Sequence, residues 1–162
     1  MRNIYQIPKI RVPVEVRFRG EPPSSLEMFV GKICGHHDGP ERPSEVLNGD
    51  QEFIPMVRPA GEPVIVRREA VLEVIVDAVH EGERPGGMGM GQVASAEVLL
   101  DLDDGPQVRG LFEYMMPEDR CRLQDFLNTG QRFIPLKDGA RVRLINSRFI
   151  RRVIPQVREE VT

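Results

Sequence analysis

The sequence predicts a mainly β protein made of two tandem small β-barrels, SH3-like or Sm-like, each carrying one short helical turn. Three observations predict it. Residues 42–55, RPSEVLNGDQEFIP, recur as residues 122–135, RLQDFLNTGQRFIP, at a constant offset of 80. Period-two alternation of apolar and polar residues marks short half-buried strands in both copies. Fourteen prolines and fifteen glycines favour many turns over long helices.

Each element follows in order. In the first copy Val12, Val14, Val16 and Phe18 alternate with charged residues, which predicts a strand that turns at Gly20-Glu21-Pro22-Pro23. A second strand covers 26–34, a helical turn 42–48, and three strands 51–58, 63–68 and 70–79. In the second copy Ala94, Ala96, Val98, Leu100 and Leu102 form the first strand, and 108–116 the second. Pro117-Glu118-Asp119 is a good helix start, and Leu123, Phe126 and Leu127 then share one face. Strands 131–137, 141–146 and 148–154 close the unit. Downstream of the repeat, a two-residue shift aligns Val64 and Val66 with Val142 and Leu144. Upstream, Glu15-Val16 align with Glu97-Val98, and Gly31 with Gly110. The expected organisation is a first unit at 1–80, a linker at 81–92 with five glycines, and a second unit at 93–162.

Units of ~70 residues lie near the lower limit for independent folding, so they are expected to pack on each other or on a partner. Net charge is −3, which gives no global attraction to nucleic acid or membrane. No apolar run reaches the ~20 residues of a membrane helix, and no signal peptide is visible at the amino terminus. A cytoplasmic protein is expected, with Cys34 and Cys121 as reduced thiols. Arginine outnumbers lysine, the bias of a GC-rich bacterial genome.

The repeated residues are Arg42, Leu47, Asn48, Phe53 and Pro55, with Arg122, Leu127, Asn128, Phe133 and Pro135. Leu47, Phe53, Leu127 and Phe133 read as core. Asn48 and Asn128 read as caps that bond local backbone and adopt positive φ. Arg42 and Glu45, like Arg122 and Asp125, are spaced to pair across one helical turn. A single catalytic centre does not need residues duplicated in both units, so the motif reads as fold, not as active site.

The pattern R-x-x-[DE]-[VF]-L-N, then Q-x-F-I-P, then Ser147 to Val153, resembles a family of small bacterial domains carrying R-x-x-D-x-L-N followed by F-[LI]-x-L. The resemblance covers most of the second copy and a more diverged first copy. It implies no activity, because that family has none assigned. Glu62-Pro63-Val64-Ile65-Val66 is faintly similar to the small barrels of bacterial flagellar and secretion switch proteins.

Catalytic constellations are missing. Cys34, His36, His37 and Asp38 are the one cluster with metal-ligand chemistry, but their spacing matches no established zinc site, and the second copy has no counterpart. The expectation is therefore no metal, no cofactor and no enzyme. The glycine-rich 81–92 stretch lacks the lysine-serine of a phosphate loop. Arg148 to Arg152 satisfies R-x-x-x-R, half of a cyclic-dinucleotide motif, without its downstream half.

Charge separates the copies. Between 131 and 158 eight basic residues face one acid, whereas 51–79 holds three basic residues and five acids. Arg132, Arg141, Arg143, Arg148, Arg151 and Arg152 thus form a candidate partner-binding face. The expected function is an adaptor or assembly subunit of a bacterial cytoplasmic complex, with a protein partner or a second copy of itself. Alternatives are Sm-like RNA binding through the basic face and a cyclic-dinucleotide signalling module.

Overall fold

A computed structural model of the chain describes residues 8–35, 37–82, 92–103, 107–117, 119 and 122–156. The fold is mainly β. Its strands are β1 (Lys9–Phe18), β2 (Ser24–Gly31), β3 (Phe53–Val57), β4 (Pro63–Arg67), β5 (Val71–Asp77), β6 (Gln92–Leu102), β7 (Val108–Met116), β8 (Phe133–Asp138), β9 (Arg141–Asn146) and β10 (Ile150–Pro155). Two five-residue helices, α1 (Pro43–Leu47) and α2 (Leu123–Leu127), precede β3 and β8. Asp119 lies in a 3-10 turn ahead of α2, which itself begins at Leu123, and the two α-helices are of equal length. Short 3-10 turns at Arg68–Ala70 and Ser147–Phe149 lead into β5 and β10. Most of the 81–92 linker, His36 and Cys121 lie outside the described residues.

All ten strands belong to one antiparallel sheet, in the order β10-β6-β7-β8-β9-β5-β1-β2-β3-β4. This corrects the expectation of two separate closed barrels. Strand β5 pairs with β9, from Glu73 opposite Ile145 to Asp77 opposite Arg141, and so fuses the halves into one open sheet. The order within each half is nevertheless the same. In β10-β6-β7-β8-β9 and in β5-β1-β2-β3-β4 the fifth strand of the half pairs with its first, and the fourth lies outermost.

The ladders also correct the alignment of the halves. Val57 opposite Pro63 corresponds to Lys137 opposite Val142, a shift of one residue after the repeat instead of two. Glu27 opposite Val57 corresponds to Leu111 opposite Lys137. Through Pro13–Glu27 and Glu97–Leu111, Pro13 then matches Glu97, and Glu15 matches Leu99. Gly110 therefore does not match Gly31. Its own role is close packing: a Cβ there would lie 2.5 Å from Leu136 Cγ.

Two apolar clusters fill the molecule, and neither is confined to one half. The first gathers residues of β1–β5 with Leu47, and includes Phe133, Val142 and Leu144 from the second half. The second gathers β6–β10 residues with Phe126 and includes Leu72 from the first half. Strand β5 is buried from Val71 to Val76 because its two faces feed different clusters, the reason it reads as a nearly continuous apolar run.

Two core assignments change. Phe53 is 49% exposed and Leu127 is only partly buried, whereas Leu47 and Phe133 are fully buried. Phe53 lies on the β3–β4 side of the sheet, where no further strand among the described residues covers it; the Arg67 guanidinium sits 4.9 Å from its ring centroid. Leu127 lies on α2, which contacts β7, and packs only partly against the second cluster.

Candidate functional site

The basic face of the second half is largely turned onto the first. Arg132 Nη1 lies 2.8 Å and Arg148 Nη1 3.2 Å from the carboxylate of Glu69. Arg143 Nη1 lies 2.7 Å from Glu73, and Arg141 Nη2 3.7 Å from Glu15. Arg152 pairs instead with Asp101, within its own half, at 2.6 Å. Arg151 is exposed and makes no ion pair among the described residues. Acids of the first half and arginines of the second therefore meet within one chain, along the β5–β9 seam.

Glu73 is the buried centre of this seam. It is fully covered, with Arg143 on one side and Arg17 Nη2 at 3.4 Å on the other. Burial pushes its carboxyl above the usual carboxylate range, although both arginines pull it down. Its Oε2 and the Arg17 Nε have no hydrogen-bond partner among the described residues. Sequence reading missed Glu73 as a site residue. The available signal was an acid inside the apolar run Val71-Leu72-Glu73-Val74-Ile75-Val76.

Asn48 joins the halves as well. Its Nδ2 donates to the Phe133 carbonyl at 3.0 Å, and its Oδ1 accepts from the Phe133 N–H at 2.8 Å. The side chain thus satisfies both backbone groups of one residue, as a neighbouring strand would. Asn128, the counterpart in the second half, donates to the Gln124 carbonyl of its own helix, at 2.9 Å, and to no other group among the described residues. Neither asparagine has positive φ: Asn48 sits at −92° and Asn128 at −89°.

A second cluster lies where the 32–41 loop meets α1. Of the four candidate metal residues, Cys34 and His37 come together with Glu45. His37 Nε2 is 2.5 Å from Glu45 Oε1, and Cys34 Sγ is 3.5 Å from Glu45 Oε2. Asp38 contributes only its backbone carbonyl, 3.0 Å from His37 Nδ1. Both ring nitrogens thus face acceptors, which favours the imidazolium and raises the His37 pKa above its ordinary value, first through the Asp38 carbonyl and then through Glu45. Glu45 also accepts from the Arg42 N–H at 3.0 Å, closing the first turn of α1. In the second half the matching pair behaves as spaced, with Arg122 Nε 3.1 Å from Asp125. The three side chains are half-buried, Cys34 and His37 on the loop and Glu45 on α1, and Glu45 is already occupied as a helix cap and as the partner of His37. The cluster therefore reads as a loop anchor.

Two clefts hold titratable side chains. One of about 210 Å3 beside His37, lined also by Arg42 and His80, is smaller than a typical ligand pocket. One of about 480 Å3 over β1, β2 and β5 is lined by Glu15, Glu27, Asp77 and Arg141, with no histidine or cysteine. Neither brings a nucleophile to a base. Among the described residues no helix is long and apolar enough to cross a membrane. Compared with known proteins, the chain matches no family model, no curated protein and no solved structure.

Proposed function

We propose that the chain is a non-catalytic interaction and assembly subunit, made of two SH3-like units fused through one sheet, that meets protein partners at the free edges of that sheet. The observation that carries this reading is the β3–β4 edge. Among the described residues strand β4 is unpaired on its outer side, Ile65 is 71% exposed, and Phe53 is 49% exposed beside it. Folded proteins usually blunt such an edge, because open N–H and C=O groups next to apolar side chains template further pairing. The repeated strand order, and the 3-10 turn before the fifth strand of each half, support the SH3-like description.

RNA binding through the basic face is less well supported. Five of its six arginines already hold carboxylates. The cyclic-dinucleotide reading meets the same objection, since Arg148 and Arg152 are held by Glu69 and Asp101. In the test, a photoreactive phenylalanine analogue replaces Ile65 in native cells, with Val79, exposed but away from the edge, as control. Protein adducts at 65 and not at 79 are expected. Equal labelling at both positions, or no protein adduct at 65, would overturn the proposal.

A further inference from the structure

We infer that the partner of the β3–β4 edge is the β10 end of a second copy of this chain, joined by a repetition of the internal β5–β9 seam. The inference rests on the edge-interaction reading above and names its partner.

Phe133, Val142 and Leu144 are the residues through which the second half enters the first cluster, and all three are buried. The ladders match them to Phe53, Pro63 and Ile65 in the first half, and all three of those are exposed. A complete apolar plug therefore stands uncovered at one end of the sheet.

The other end carries the matching socket. In the first half the plug is received beside Leu47, Val71 and Val74, each fully buried. Their counterparts Leu127, Ile150 and Val153 are only partly buried. Asn48 clamps the backbone of Phe133, while Asn128 is exposed and, among the described residues, bonds only its own helix. Repeating the seam brings the Phe53 backbone to Asn128. It also sets a ladder with Arg152 opposite Val66, Ile154 opposite Val64 and Gln156 opposite Glu62, by transfer of the β5–β9 register.

Charge agrees with this pairing. Inside the chain Arg132 and Arg148 flank Glu69. At the repeated seam their counterparts are Glu52 and Glu69, and the counterpart of Glu69 is Arg148. At these three positions two cations around an anion become two anions around a cation, so the attraction is kept. Glu52, Glu69 and Arg148 each also hold an ion pair within their own chain, with Arg67, Arg132 and Glu69. The Glu73–Arg143 pair has Arg152 and Val64 as counterparts. A contact of this kind is heterologous: each copy uses a different surface, leaving one plug and one socket open for further copies.

Sedimentation velocity on the purified full-length chain over a rising concentration series tests this, with Ile65→Asp and Ile154→Asp as variants. Both residues are exposed, and circular dichroism checks that both variants stay folded. Wild type is expected to form species larger than dimers. Each variant alone should stay monomeric, having lost one end. An equimolar mixture should form a 1:1 dimer and nothing larger, since each variant keeps the end that the other lacks. A wild-type chain that stays monomeric throughout would overturn the inference, as would self-association of either folded variant or a mixture that does not pair. If the purified chain stays monomeric while position 65 labels a different protein in cells, self-docking fails and the interaction reading survives.

Discussion

Asn48 and Asn128 show how one residue type in one sequence context takes two roles. The Asn48 side chain replaces a strand for Phe133, so truncating it leaves a half-buried N–H and C=O unpaired between the halves. Asn48→Ala is expected to destabilise the chain by about 1–3 kcal/mol in urea unfolding. Asn128→Ala, at an exposed cap, should cost no more than about 0.5 kcal/mol in the purified monomer. Gly110 is constrained by space: an added Cβ would also sit 2.6 Å from the Lys137 carbonyl, backbone that cannot swing aside. Gly110→Ala should therefore cost about 1–3 kcal/mol, read by the same unfolding curves. Glu73 is constrained by charge. Removing it leaves Arg17 without its carboxylate at the seam and Arg143 with Asp138 alone, and Glu73→Ala is expected to lose about 3 kcal/mol.

At the scale of elements, the 32–41 loop is tied to α1 by a titrating contact. The His37 pKa is raised in the folded state, so its contribution is fully present below the unfolded value of about 6.5. That contribution is lost as pH rises through the raised folded value. Proton NMR of the His37 ring should show a pKa above that of an unfolded histidine, and Glu45→Gln should move it down without abolishing the shift, because the Asp38 carbonyl remains. An unchanged His37 titration in Glu45→Gln would remove Glu45 from this account. The divergence of α1 and α2 has the same local origin. Glu45 turns to a histidine loop that the second half lacks, while Asp125 keeps its arginine.

For the whole molecule, strands β5 and β9 belong to both clusters, so neither half completes its core alone. Leu144 lies in the second half but packs in the first cluster. Leu144→Ala should thus lower the stability of the entire chain by about 2–5 kcal/mol. Thermal unfolding followed by circular dichroism and by the NMR signals of each half should remain one coincident transition. Separate transitions for the two halves would contradict a shared core.

Period-two alternation and turn residues determined the strands by themselves, because they depend only on the side chains of the strand concerned. The predicted and observed ranges accordingly agree closely from β1 to β10, apart from the loop that begins at Lys32. The repeat likewise pointed to two halves of similar construction. Tertiary structure alone decided how the halves meet. Pairing of β5 with β9 buried Phe133 and left its repeat partner Phe53 in solvent. It also turned much of a basic surface into internal ion pairs. Those outcomes depend on which strand lies next to which, a relation between distant residues that local periodicity does not encode.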